Sequence, residues 1–137
     1  MEKTEFSSVV FKSDPKIAVR EAVNSEKYDE YRKLWDDVSN LRIVTDFPLQ
    51  LDFELNYSCN FTCPMCTWSA ESMEDKGKVT WFDFEVFKEV IDDAIPKGLK
   101  SIRLNYINEP LIRKDITKFI SYARKKGILD IYFSTNG

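Results

Sequence analysis

The sequence predicts an α/β fold in which three parallel strands are joined by two crossover helices and preceded by a helical lead-in. Three segments with alternating apolar residues lie at 51–56, 101–106 and 129–134, and two segments with helical periodicity lie between them. Alternation of strands and helices is typical of a parallel sheet with right-handed crossovers. Because three strands cannot close a barrel, the pattern predicts a partial (β/α) barrel. We therefore expect the domain to be truncated, with further strands beyond residue 137.

The predicted lead-in covers residues 1–48 and contains one amphipathic helix at about 25–41. Ser25 is the expected N-cap of this helix. Aromatic and aliphatic residues recur at helical spacing, which predicts a buried face formed by Tyr28, Tyr31, Trp35 and Val38. We expect this face to pack on the main body rather than to bind a partner.

The predicted α/β body covers residues 49–137. Its first crossover helix is expected to begin at Thr80, with Asp83 three residues later in a capping-box arrangement. The second is expected over 110–127, with Gly127 as its C-cap. The spacing of apolar residues predicts the buried positions Phe84, Phe87, Val90, Ile91, Ala94, Ile112, Ile116, Phe119, Ile120 and Ala123.

The composition limits the possible partners of the chain. The net charge of −3 argues against a nucleic-acid-binding surface, which needs a basic excess. No segment is apolar and long enough for a secretion signal or a membrane span. An odd number of cysteines without a signal peptide fits a reducing compartment. We therefore expect a cytoplasmic protein that binds neither nucleic acid nor membrane.

All three cysteines lie in the stretch CNFTCPMC, at Cys59, Cys63 and Cys66. This stretch follows the first predicted strand, at the sheet edge where α/β folds build their sites. Thiolates select zinc, copper(I) or iron–sulfur clusters. A structural zinc site needs four ligands, and the chain has no fourth cysteine and no histidine. A [4Fe–4S] cluster fits better, because three thiolates leave one iron open to another ligand.

The CNFTCPMC loop resembles the signature of the radical S-adenosylmethionine (SAM) superfamily. In that family three cysteines at this spacing hold a [4Fe–4S] cluster, and SAM chelates the fourth iron. NEPL (108–111) resembles the family's Gly-Gly-Glu-Pro stretch, and STNG (134–137) resembles its Thr-Asn-Gly. The resemblance covers residues 49–137 and implies the amino-terminal half of a radical SAM barrel. The segment before the loop is most similar to members with an additional SPASM or twitch domain.

The resemblance also implies the cofactors, the reaction and the site residues. The cofactors are a [4Fe–4S] cluster and SAM. The reaction is reductive cleavage of SAM to a 5′-deoxyadenosyl radical, which takes hydrogen from an unidentified substrate. The reductant is a protein such as flavodoxin or ferredoxin. The expected cluster ligands are Cys59, Cys63 and Cys66, and the expected SAM contacts are Glu109, Met65, Asn108, Ser134 and Asn136.

Two of these residues depart from the family pattern. Asn108 replaces a usual glycine, and Met65 replaces an aromatic residue that lies near the adenine in many members. For Met65, packing in the core is an equal alternative. Glu109 is expected to bind the SAM ammonium, and it is also placed to begin the following helix. Because family members complete the SAM site with later strands, the 137-residue chain alone is expected to be inactive.

Two functions from other classes remain open from the residues alone. An iron–sulfur module for electron transfer is one, although such a module usually has a complete set of cysteine ligands. A zinc-stabilised interaction domain is the other, and it would bind a single colourless metal ion. The aromatic residues around the cysteine loop are expected to pack rather than to contact a substrate; they are Tyr57, Trp68 and Trp81.

Overall fold

The computed structural model describes residues 25–70 and 80–137, so the first half of the predicted lead-in lies outside the described residues. The helices are α1 (Ser25–Ser39), α2 (Thr67–Ala70), α3 (Phe84–Ala94) and α4 (Ile116–Lys126). The strands are β1 (Gln50–Asp52), β2 (Ser101–Arg103) and β3 (Asp130–Tyr132). Among the described residues, no helix is long and apolar enough to cross a membrane.

The three strands form one parallel sheet in the order β1-β2-β3, which confirms the predicted fold class. Ile102 in the central strand pairs with Leu51 on one side and Ile131 on the other. Backbone hydrogen bonds continue past the strand ends, since the Phe53 N–H donates to the Arg103 carbonyl at 2.8 Å. All three strands therefore end at one edge of the sheet, and the loops that follow them meet there.

The core lies between the sheet and helices α3 and α4. Phe87 is fully buried, and its ring meets the rings of Phe53 and Phe119 edge-on at centroid distances of 4.8 and 5.0 Å. Such edge-to-face contacts add to the burial of apolar area. The predicted inward positions that are fully buried in both helices are Phe87, Ile91, Ala94, Ile116, Phe119 and Ala123.

The predicted start of the first crossover helix is wrong. Asp83, rather than Thr80, is the N-cap of α3, because its carboxylate accepts the N–H groups of Glu85 (2.7 Å) and Val86 (3.0 Å). An aspartate in this position satisfies the free donors of the first turn. The chain before it stays extended, and Trp81 pairs in an antiparallel bridge with Asn56.

The predicted second crossover helix is divided into two parts. A one-turn 3-10 helix, Pro110–Ile112, is followed by Arg113 in an extended conformation, and α4 begins three residues later. Gly127 ends α4 as predicted, with a left-handed φ of +98° that favours glycine.

Helix α1 covers Ser25–Ser39, which agrees with the predicted helix at about 25–41. The residues before Ser25 lie outside the described part of the chain, so the N-cap stays a prediction. The helix packs on the body through Tyr31, which is 2% exposed. The Tyr31 hydroxyl donates to the Asp130 carboxylate at 3.2 Å, at the start of β3. Burial raises the pKa of Tyr31 to about 12, so the hydroxyl remains a donor at neutral pH.

Arg113 joins three parts of the body, although nothing in the sequence pattern indicates it. Its guanidinium is buried and lies 4.1 Å above the ring of Phe119. One nitrogen donates to the carbonyls of Leu55 (2.8 Å) and Phe82 (2.6 Å), and Nε pairs with Asp115 at 2.8 Å. The Arg113 guanidinium therefore holds the chain after β1, at Leu55, next to the chain that enters α3, at Phe82.

We expect Arg113→Met to lower the free energy of unfolding by about 2–4 kcal/mol, because buried carbonyls lose a charged donor. Arg124→Met is a matched control. Arg124 also donates to two carbonyls, those of Ile128 and Leu129, but it lies on the surface. Its loss should cost under about 1 kcal/mol. Urea unfolding measures both variants, and equal losses would contradict the assignment of Arg113 as a buried anchor.

Candidate functional site

The loops after the three strands surround a cavity of about 210 Å³ at the carboxyl edge of the sheet. The first loop contributes Phe61 and all three cysteines, the second contributes residues 105–109, and the third contributes residues 134–136. The structure therefore brings the predicted cluster ligands together with four of the five predicted SAM contacts. Those four are Asn108, Glu109, Ser134 and Asn136.

Two polar side chains from the first strand segment fix the second loop. The Glu54 carboxylate accepts the N–H groups of Tyr106 (3.0 Å) and Ile107 (2.8 Å). The buried Asn56 amide donates to the carbonyls of Ser58 (2.9 Å) and Glu109 (3.3 Å). Unpaired backbone groups at the strand ends are satisfied in this way. The alternating pattern had placed Glu54 and Asn56 on the face opposite the core, so their role in positioning the site was missed.

Asn105 connects the second loop to the third. Its side chain is buried, and its nitrogen donates to the Asn108 carbonyl at 3.1 Å. Its oxygen accepts the Ser134 N–H at 2.9 Å. Because one amide bonds to both loops, it links them beside the cavity. The sequence indicated only that Asn105 lies near the end of a strand.

The three cysteines are free, with Cys59 and Cys66 partly buried and Cys63 exposed. A backbone hydrogen bond of 3.0 Å from Cys66 N–H to the Cys63 carbonyl closes the turn between them. Among the described residues, no three Cys, Asp or Glu side chains converge on one point as ligands of a single ion would. In a [4Fe–4S] cube each thiolate binds a different iron, so the sulfurs surround a cluster rather than a point. Three thiols on one wall of an open cavity fit that requirement.

Glu109 is 5% exposed and accepts three hydrogen bonds. Oε1 accepts the Leu111 N–H (2.9 Å) and the Thr135 hydroxyl (2.8 Å), and Oε2 accepts the Asn136 N–H (2.8 Å). Burial raises the pKa of Glu109, but the three hydrogen bonds outweigh it and hold the pKa below its ordinary value. The group is therefore an anion at neutral pH. A carboxylate has about four acceptor positions, so one remains for a further donor.

Asn108 is 3% exposed, and neither its side-chain nitrogen nor its oxygen has a hydrogen-bond partner among the described residues. Leaving such a group unpaired costs about 1–3 kcal/mol. Asn108 lines the cavity beside Glu109, but its two amide atoms have almost no accessible surface, so a molecule in the cavity does not reach them unless the side chain turns. The three thiols and the Glu109 carboxylate are the groups of the cavity that fit a cluster together with the ammonium of SAM.

Met65 does not line the cavity, and its side chain is 86% exposed. Packing in the core is therefore the wrong alternative for this residue, whereas a contact with adenine stays a prediction. Trp68 is buried and meets Tyr57 edge-on at a centroid distance of 4.9 Å, which supports its expected packing role. Trp81 is 51% exposed.

The unpaired amide of Asn108 leads to a stability prediction. We expect Asn108→Ala to leave the free energy of unfolding of the cofactor-free protein within about 1 kcal/mol of wild type, because no hydrogen bond is lost. Asn105→Ala is the matched control, since Asn105 is an equally buried amide with both of its atoms paired. This variant should lose about 1–3 kcal/mol in urea unfolding. A loss at Asn108 as large as that at Asn105 would contradict the prediction.

Comparison with known proteins places this geometry in a family. No family model matches the chain. A probable GTP 3′,8-cyclase of Metallosphaera sedula is 32% identical over 91 residues, which are 66% of this chain and 27% of the cyclase. The mycofactocin maturase MftC of Mycobacterium tuberculosis is 31% identical over 96 residues, which are 67% of this chain and 22% of the maturase. The chain thus spans about a quarter of the length of these relatives.

A solved structure shares the fold. The crystal structure of BtrN in complex with AdoMet and 2-DOIA superimposes with a TM-score of 0.59 at 20% identity, covering 69% of this chain and 38% of BtrN. The fold and the cavity define a partial parallel β/α barrel with three cysteines in the loop that follows its first strand. The chain belongs to the radical SAM superfamily.

Proposed function

We propose that this chain carries the cofactor-binding part of a radical SAM enzyme. The observation that carries the proposal is the meeting of three free thiols and the anionic Glu109 around one cavity. When bound there, a [4Fe–4S] cluster and SAM supply one-electron cleavage of SAM and removal of a hydrogen atom from a substrate.

The side chains have separate roles in this proposal. Cys59, Cys63 and Cys66 hold three irons, which leaves the fourth iron open to SAM. Glu109 offers its remaining acceptor position to the SAM ammonium, and such a charge-assisted hydrogen bond is strong in a buried site.

Three further residues are proposed around the rest of SAM. Ser134 and Asn136 lie on the wall of the cavity formed by the third loop. Met65 does not line the cavity in the structure, and it is proposed to contact the adenine of bound SAM. An external protein reductant such as flavodoxin or ferredoxin is proposed to deliver the electron to the exposed cysteine loop. The proposal specifies the substrate only by its role as the donor of a hydrogen atom and assigns it no chemical class.

Anaerobic reconstitution of the protein with iron and sulfide tests the proposal. We expect a brown protein with about four irons per chain, and an electron paramagnetic resonance signal of the reduced cluster that changes when SAM is added. A colourless protein with one zinc ion would support the zinc-stabilised domain instead. A cluster whose electron paramagnetic resonance signal does not change when SAM is added would support the electron-transfer module. Either of these two results would overturn the proposal.

Turnover is a separate measurement. In the presence of dithionite and SAM, we expect the 137-residue chain to bind the cofactors but to form little 5′-deoxyadenosine, because the chain spans about a quarter of its relatives' length. Production at the rate of complete radical SAM enzymes would contradict this expectation, although it would support the proposed reaction.

A further inference from the structure

We propose that Asn136 is a positioning residue that raises the reduction potential of the cluster through a hydrogen bond to the sulfur of Cys59. This inference rests on the proposed function, because it concerns a cluster held by the three cysteines. It assigns Asn136 a contact with a cluster ligand, in addition to its place on the wall of the cavity.

The sulfur of Cys59 differs from those of the other two cysteines in its surroundings. It accepts the Phe61 N–H at 3.4 Å, and the side-chain nitrogen of Asn136 lies 3.8 Å away in hydrogen-bonding geometry. Within the part of the chain that the structure describes, no donor of this kind contacts the sulfur of Cys63 or Cys66. Hydrogen bonding to the ligand sulfurs is therefore concentrated on one cysteine.

The Asn136 amide is held in place from two directions. Its side-chain nitrogen also donates to the Asn60 side-chain oxygen at 3.0 Å, which turns the amide toward the first loop. Its backbone N–H donates to Glu109 at 2.8 Å, and the preceding Thr135 hydroxyl donates to the same carboxylate at 2.8 Å. Glu109 thus secures the third loop to the second, while Asn136 extends from the third loop to the first.

A hydrogen-bond donor at a ligand sulfur changes the reduction potential of the cluster in one direction. A reduced cluster carries one more negative charge than an oxidised one, and part of that charge lies on the cysteine sulfurs. An N–H group directed at a ligand sulfur stabilises the reduced form more than the oxidised form, so it raises the potential.

A redox titration of the anaerobically reconstituted protein, followed by electron paramagnetic resonance, tests the inference. We expect Asn136→Ala to shift the potential to a more negative value. Asn136→Asp should shift it further, because this variant loses the donor and adds a negative charge near the cluster. Asn40→Ala is the matched control, since the Asn40 amide is also an exposed donor, to the Asp36 carbonyl at 2.6 Å, but does not line the cavity. Its potential should equal that of wild type.

Three results separate the possible outcomes. An Asn136→Ala protein with full iron content and an unchanged potential would overturn the inference and leave the proposed function intact. A wild-type protein that assembles no cluster would overturn the proposed function itself. If the variants assemble too little cluster to titrate, wild-type protein labelled with ¹⁵N only in asparagine side chains provides a direct readout. A hyperfine coupling from that nitrogen to the reduced cluster supports the contact, and its absence overturns it.

Discussion

Replacing Cys66 with serine is expected to remove nearly all of the bound iron from the reconstituted protein. Cys59, Cys63 and Cys66 are the only cysteines in the chain, so no other thiol can take the place of a lost ligand. A hydroxyl is a much poorer ligand than a thiolate for an iron–sulfur cluster. Serine at Cys59 or at Cys63 should have the same effect, because each sulfur is needed for a different iron. Iron and sulfide analysis together with the visible absorbance measure the loss.

Met65→Ala is the matched control for these variants. Met65 directly precedes Cys66 and is 86% exposed, so its removal leaves the cysteines and the core unchanged. We expect this variant to retain wild-type iron, and a weaker affinity for SAM would support the proposed contact with adenine. If a single cysteine variant kept a full [4Fe–4S] cluster, the assignment of three ligands would be wrong. If the cysteine variants lose bound zinc rather than iron, the result would support the zinc-stabilised interaction domain.

The sequence was sufficient to predict which segments meet at the site. Alternating strands and helices determine a parallel sheet, and parallel connections place every strand end at the same edge. Cys59, Glu109 and Asn136 lie far apart in the sequence, yet this rule alone brings them to one cavity. The chemistry proposed for the site rests on the spacing of the cysteines and on the resemblance of the CNFTCPMC loop to the radical SAM signature.

The side chains that hold the loops together were not predictable in the same way. Arg113 donates to the carbonyl of Leu55, which is 58 positions away in the sequence. Glu54, Asn56 and Asn105 act in the same manner across neighbouring strands. Local periodicity distinguishes apolar from polar positions, so it assigns such residues to solvent. Only the fold shows that each of these polar side chains meets a backbone group from another part of the chain.

The error at the start of α3 has a local cause. Both Thr80 and Asp83 are suitable N-cap residues, and the spacing between them matches a capping box. The choice depends on whether residues 81–82 are helical or extended. A tertiary contact decides it, because the Phe82 N–H donates to the Leu55 carbonyl at 3.0 Å and keeps the chain extended up to the cap. A stretch of sequence as long as one helix does not contain both residues of this contact, so helical periodicity could not predict it.

Glu109→Gln is expected to weaken the binding of SAM to the reconstituted protein by about 10- to 100-fold, since a hydrogen bond to a charged group is worth about 1.5–3 kcal/mol. Three hydrogen bonds hold this carboxylate ionised, and Glu109 lines the same cavity as the cysteines with one acceptor position left. Glutamine has nearly the same shape but no charge. Isothermal titration calorimetry under anaerobic conditions measures the change.

The same substitution also disturbs the third loop, because one of the two oxygens that accept from Thr135 and Asn136 becomes a donor. A SAM analogue without the α-amino group separates the two effects. If Glu109 binds the ammonium, the variant loses more affinity for SAM than for the analogue. If Glu109 only supports the loop, the affinities for both ligands fall by the same factor, and the assignment of Glu109 to the ammonium is wrong.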